Sequence, residues 1–152
     1  GKFGSGFSTA ALLHDIGKLI LVQHVTSERL AEMAAFRASH PGHRAIDAER
    51  AVLGVDHARA GALVASNWNL PADIVGAIGN HHSPSQWEND LWNGVILANQ
   101  IALENTGHTD FTFGDSEIVA DAMLELNVED GTYQAAALAS RGRFGHLIEL
   151  FA

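Results

Sequence analysis

The chain is expected to fold as an all-α bundle of about seven to eight helices, built as one domain. Three observations predict this. Apolar residues recur at helical spacing along nearly the whole length, and glycine or proline punctuates them at helix-sized intervals. The only alternating stretch, "DFTF" at 110–113, is too short to stand as a strand. With 152 residues, 47% hydrophobic and 18% charged, the chain can bury one ordinary core.

The elements follow in order. Phe7, Ser8 and Leu12 have the spacing of a hydrophobic staple around a serine cap, and the apolar residues after them run all round the helix, so 8–23 reads as one largely buried helix. Ser27 can cap a second helix to about Ser39, with Glu28 in its first turn; Pro41 and Gly42 end it. A third spans about 45–53 and stops at Gly54. Asp56 can cap a fourth, "HARAGALVASNW", and Pro71 opens a fifth, "PADIVGAIGNHH". Residues 86–105 form a sixth, ended by Gly107, and "HTDFTFGD" is a loop. Asp115 can cap a seventh to about Leu126, and 129–151 reads as one or two shorter helices broken near Gly142 to Gly145. No repeat and no linker divides the chain, so 1–152 is taken as a single domain; the opening "GKFGSG" reads as a linker or cut end, and the domain is expected to be truncated on that side.

Composition narrows the function. A net charge of −9 argues against a nucleic-acid partner, which needs clustered Lys and Arg. With no Cys there is no disulfide framework, thiolate site or thiol nucleophile. No apolar run reaches the ~18–20 residues that span a bilayer, and no secretory signal is visible, so a cytoplasmic location is expected and no membrane partner. No P-loop, zincin helix or nucleophile elbow is present.

What stands out is "ALLHDIGKLIL", 11–21, where an imidazole and a carboxylate sit inside a run that asks to be buried. His14 and Asp15 fall mid-helix in this reading, about 100° apart around the axis, so one ion can take both, or the carboxylate can bridge to a second. His57 lies near the start of another helix, and His81 and His82 at the end of a third. Nitrogen and carboxylate donors without thiolate suit Fe, Mn, Zn or Mg. His24, His40, His43, His108 and His146 fall in polar or terminal contexts and are assigned no role; Arg141 and Arg143 read as solvated surface. Trp68 and Trp92 are expected in the core, with Trp87 covering it.

Taken together, "ALLHDIGKL", "LGVDHARAGALVASNWNLP", "AIGNHHSP" and "VILANQIA" resemble the HD superfamily of helical metal-dependent phosphohydrolases, and more closely its offshoot, the HDOD domain of bacterial signalling proteins, over about residues 9–105. The resemblance implies that His14 and Asp15 are the name-giving metal pair, that Lys18 matches a lysine pointing towards phosphate in the cyclic-dinucleotide branch, and that His57, His81 and His82 match that branch's further ligands. The sequence departs from the enzymes at three points. No His precedes the HD pair, Asn99 stands in "VILANQ" where the final ligand is usually Asp, and "HHSPSQWEND" lacks the Gly-Tyr-Pro signature. Asn lacks the negative charge that would help hold a cation. The resemblance therefore implies a regulatory module with a degenerate metal site at His14, Asp15, His57, His81 and His82, which binds a protein partner or a small, nucleotide-like ligand without turnover. The alternative is a metal-dependent phosphohydrolase acting on phosphomonoesters, nucleotides or cyclic nucleotides, with a metal-activated hydroxide and with Asp15 and Lys18 at the reacting centre.

Overall fold

The computed structural model describes residues 6–83, 89–106 and 113–151. Among these residues there are nine helices and no strand: α1 (Phe7–Leu13), α2 (Ile16–His24), α3 (Ser27–Ser39), α4 (Ala45–Leu53), α5 (His57–Asn67), α6 (Ala72–Asn80), α7 (Asp90–Thr106), α8 (Phe113–Glu125) and α9 (Asp130–Phe151). The fold is an all-α, single-domain bundle. No described helix is long and apolar enough to cross a membrane.

The helix ends follow local chemistry. Thr26, one residue before the expected Ser27, caps α3 by accepting from the Arg29 amide at 3.3 Å. Gly54 takes a left-handed conformation (φ 75°) and closes α4, as glycine can without a steric cost. The ends of α5 and α8 share one device: Asn69 and Asn127 adopt φ of 55° and 50°. The amide after each reaches back to the helix, Leu70 to the Ala65 carbonyl (3.1 Å) and Val128 to that of Met123 (2.9 Å). Leu70 and Val128 then pack against the core, which sets the direction in which the chain leaves each helix.

Helix α7 is the central strut. Its Leu91 and Val95 join Ala10 of α1, Ala65 of α5 and Ile74, Ala77 and Ile78 of α6 in one apolar cluster. Its Ile96 and Leu97 join Ala122 and Leu126 and Tyr133 of α9 in a second. Helix α2 packs across α5, and α3 lies against α4. The α2–α5 crossing is very close: a Cβ on Gly17 would stand 1.9 Å from the His57 carbonyl oxygen and 2.7 Å from the Gly61 nitrogen.

Several expectations need correction. The helix expected over 8–23 is two helices, broken at His14–Asp15, and it is not largely buried: Ala10 and Gly17 are its only buried residues, while Leu12 is 82% exposed. Small residues are the fully buried ones, Leu13 packs half-buried against the first cluster, and Leu12 and Leu19 face outward. No side chain caps α1, which begins at Phe7 after Gly6. Trp68 is 54% exposed and not in the core; α5 ends at Asn67, so Trp68 leaves the Ala58–Gly61–Ala65 face that helical spacing would have continued. Trp92 is partly buried against the first cluster and donates to the Asp73 carbonyl. The tail is one helix, continuous through Gly142 to Gly145. Trp87, His108 and most of the "DFTF" stretch lie outside the described residues, as do 86–88 of the expected sixth helix.

Asp56 offers a direct test of the local reading. It caps α5 by accepting from the Arg59 amide (2.7 Å) and takes the Arg50 guanidinium at 2.6 Å. Burial opposes its charge, but the Arg59 amide and Arg50 hold its carboxyl below the ordinary 3.8. A carboxyl depressed in the folded state stabilises the protein above its unfolded pKa, and that stability is lost as pH falls through the folded value. Asp56→Ala is expected to cost about 1–2 kcal/mol at neutral pH and less in acid. Urea unfolding at two pH values reads this, and an equal cost at both would contradict it.

Candidate metal centre

Three histidines are set by the same logic from three different helices. His14 follows the last residue of α1, and its Nδ1 donates to the Ala11 carbonyl three residues back (2.8 Å). His81 follows the last residue of α6, and its Nδ1 donates to the Ile78 carbonyl, again three back (2.7 Å). Each ring satisfies a carbonyl that the ending helix leaves without an amide. His57 opens α5, and its Nδ1 meets the Glu49 carboxylate at 2.7 Å, as does its backbone amide. A carbonyl or carboxylate oxygen can only accept, so all three Nδ1 atoms carry hydrogen and each neutral ring turns an Nε2 lone pair the other way.

Those lone pairs converge on Asp15. The His57 Nε2 lies 3.3 Å and the His81 Nε2 3.6 Å from Asp15 Oδ1. The His14 Nε2 lies 3.4 Å from Asp15 Oδ2, which also receives Lys18 Nζ at 2.6 Å. His82 closes the group from the α6–α7 connection, with its Nε2 3.0 Å from that of His57, and its carbonyl accepts from Arg44 (2.8 Å). Asp15, His57, His81 and His82 each offer a ligand atom, all within 4.8 Å of one another. His14 stands beside this set: its ring is 5.0 Å from that of His81, and its Nε2 is 3.2 Å from the Asn99 side-chain amide. The Asn99 atom it meets is Oδ1, which accepts, so this contact favours a proton on the His14 Nε2.

The site's electrostatics are those of a cation pocket. Burial opposes ionisation of Asp15, yet the imidazoles of His14, His57 and His81 hold its carboxyl far below the ordinary carboxylate range. Burial pushes His81 down, and pushes His82 down to about 2 with help from His81 and His57, so both rings are neutral and able to ligate. Burial also opposes charge on His14 and His57, but Asp15, and for His57 also Glu49, raise them above 6.5.

A cation fits what is present. Asp15 Oδ1 and His81 Nε2 are buried, face each other and make no hydrogen bond, a costly arrangement for two polar atoms unless something lies between them. Ligand bonds of 2.0–2.2 Å in a tetrahedral shell place neighbouring donors about 3.4 Å apart. The 3.0, 3.3 and 3.6 Å separations of three donor pairs bracket that value, and the whole set lies within 4.8 Å. A cleft with a cavity of about 160 Å³ opens beside the cluster, lined by Lys18, Arg44, His57, His82, Asn99 and Gln100 among others.

The structure therefore brings His14, Asp15, His57, His81 and His82 to one place, with Lys18 and Asn99 at its edge. It corrects two local expectations: His14 and Asp15 occupy a helix break, not a mid-helix turn, and His81 and His82 lie beyond the end of α6. His40 and His43 are exposed and gather around Phe36, away from the cluster. Reasoning from sequence missed Glu49. Its signal was present: in "AIDAERAVL" the carboxylate falls on the Ile46–Glu49–Leu53 stripe of an amphipathic helix, and it is 7% exposed.

A family model described as HDOD domain matches residues 5–84, which cover α1 to α6 and every member of the histidine cluster. No curated protein and no solved structure gives a significant match to the chain.

Proposed function

The chain belongs to the HDOD family, and from that premise we propose that it is a regulatory module of bacterial signal transduction that holds one divalent cation and performs no turnover. The carrying observation is the donor set: Asp15, His57, His81 and His82 supply four protein ligands around one point. A four-coordinate ion with four protein ligands keeps no position for a reacting water, which is the signature of a structural or sensory site, not a hydrolytic one. Three nitrogens and one oxygen favour zinc, with iron and manganese as the other candidates and magnesium the poorest fit. When bound, the cation supplies fixed positive charge that ties α5 and the end of α6 to the α1–α2 break. The chain's own residues do the rest. Lys18 neutralises the second oxygen of Asp15, and the Asn99 side-chain oxygen meets the Nε2 of His14.

The cavity is below the ~300–1,000 Å³ of sites that enclose a drug-sized ligand, which favours a partner protein at the surface over an engulfed nucleotide as the recipient of the signal. We place this action in the cytoplasm. A phosphohydrolase reading is favoured by one observation, the presence of Lys18 and Arg44 on the cleft wall beside the cluster, where they can meet an anionic ester.

Elemental analysis of protein purified without chelator, followed by a screen of phosphomonoesters, nucleotides and cyclic dinucleotides with added Zn, Mn or Fe, separates these readings. About one ion per chain and no turnover is expected. Metal-dependent release of phosphate would establish the enzyme instead, and a chain that takes up no metal would refute the cation.

A further inference from the structure

We propose that Glu49 is the positioning residue of this centre, and that its carboxylate turns the His57 imidazole so that Nε2, and not Nδ1, is presented to the ion. This rests on the cation reading above.

Little else orients His57. His14 and His81 are each fixed by a carbonyl of their own helix. His57 is the first residue of α5 and has no preceding turn to donate to. Its Nδ1 reaches instead to α4, eight residues back, where Glu49 takes the ring N–H and the backbone N–H through a single oxygen, each at 2.7 Å. Backbone and ring are pinned by the same atom, which leaves the side chain little freedom to turn. Glu49 is itself buried, as are Ile46 and Ala48 beside it on α4, so the carboxylate cannot wander. A buried carboxylate in this place is expensive to retain for packing alone, since an apolar side chain of similar volume would fill it at no desolvation cost. On a ligating imidazole it has a use: it fixes the tautomer and raises the basicity of the opposite nitrogen. His57 occupies the middle of the set, near both Asp15 Oδ1 (3.3 Å) and His82 Nε2 (3.0 Å). Releasing it would therefore disturb the donor set more than releasing an edge ligand.

The test uses the full chain, stripped of metal and titrated with zinc against a chromogenic chelator. Glu49→Gln keeps an acceptor for the ring but loses the charge, and Glu49→Leu loses both. Zinc affinity is expected to fall about 10–100-fold in Glu49→Gln and further in Glu49→Leu. Cobalt(II) supplies a readout that a structural role would not move: the intense visible bands of a four-coordinate ion are expected to weaken or shift in Glu49→Leu as His57 leaves the shell. Circular dichroism confirms that both variants keep the helices. If both bind zinc within a factor of two or three of the wild type, with an unchanged cobalt spectrum, Glu49 is only a packing residue and the proposal is overturned. If the wild type itself takes up no zinc or cobalt, the cation reading fails and takes this one with it; Asp15→Ala losing the ion while the Glu49 variants keep it sinks this proposal alone.

Discussion

Asp15→Ala is expected to abolish metal binding, lowering affinity by more than about 100-fold, the upper end of what loss of a supporting residue alone costs. The reason is position. Asp15 is the one acidic member of the ligand set, its Oδ1 faces the Nε2 atoms of both His57 and His81, and its Oδ2 carries the contacts to His14 and Lys18. Removing it leaves only neutral donors and no anionic ligand to compensate a dication. The helices should survive, because the side chain belongs to neither apolar cluster. Elemental analysis beside circular dichroism reads the outcome, and unchanged metal content would dismantle the centre described here. Binding by the wild type is expected to weaken as pH falls, because each imidazole must lose its ionising proton before it can ligate. Burial works against charge on His57, but Asp15 and Glu49 raise it above 6.5 in the metal-free protein. Protons therefore begin to compete for that nitrogen at a higher pH than for a solvent-exposed imidazole.

Gly17→Ala is expected to be the most damaging glycine-to-alanine change among the described residues. The added carbon would fall 1.9 Å from the His57 carbonyl oxygen, 2.7 Å from the Gly61 nitrogen and 2.8 Å from the His57 carbonyl carbon. All three are backbone, so no side chain can swing away and α2 must lift off α5. Overpacking of this kind costs roughly 1–3 kcal/mol or more, and with no soft neighbour the upper end is expected. Against a total stability of about 5–15 kcal/mol that is a large loss. The damage should also reach the metal. Asp15 stands two residues before Gly17, and the residue struck is His57 itself, so separating the helices pulls two ligands apart. Both the urea midpoint and zinc affinity are expected to fall, and saturating zinc should restore part of the stability by mass action. Wild-type stability in the variant would mean that the helices do not cross this closely.

Much of the architecture was legible because helix signals are local. The ends at Gly54, Asp56 and Ser39 lie where capping and breaking residues place them. The break at His14–Asp15 was not legible, because no glycine or proline marks it. It is coupled to the histidine's own side chain, which takes the Ala11 carbonyl, and to the residues that Asp15 then meets from α5 and from beyond α6. Trp68 was misplaced for a related reason: helical spacing carries a face forward until the helix stops, and the turn at Asn69 stops it one residue too soon. Glu49 was passed over because a lone carboxylate is ordinarily read as surface even on the apolar stripe of its helix, and only the contact with His57 shows what it meets.

By itself, the order of residues determined the all-α class, most of the helix boundaries, and which histidines and carboxylate were candidate donors, because periodicity, capping and side-chain chemistry act over a few residues. Only the tertiary structure decided which nitrogen of each histidine faces inward, that His14 turns to Asn99 while His82 joins the set, and that Glu49 stands behind His57. Those choices rest on contacts between residues as much as 85 positions apart, as between His14 and Asn99, and no local rule spans such a gap.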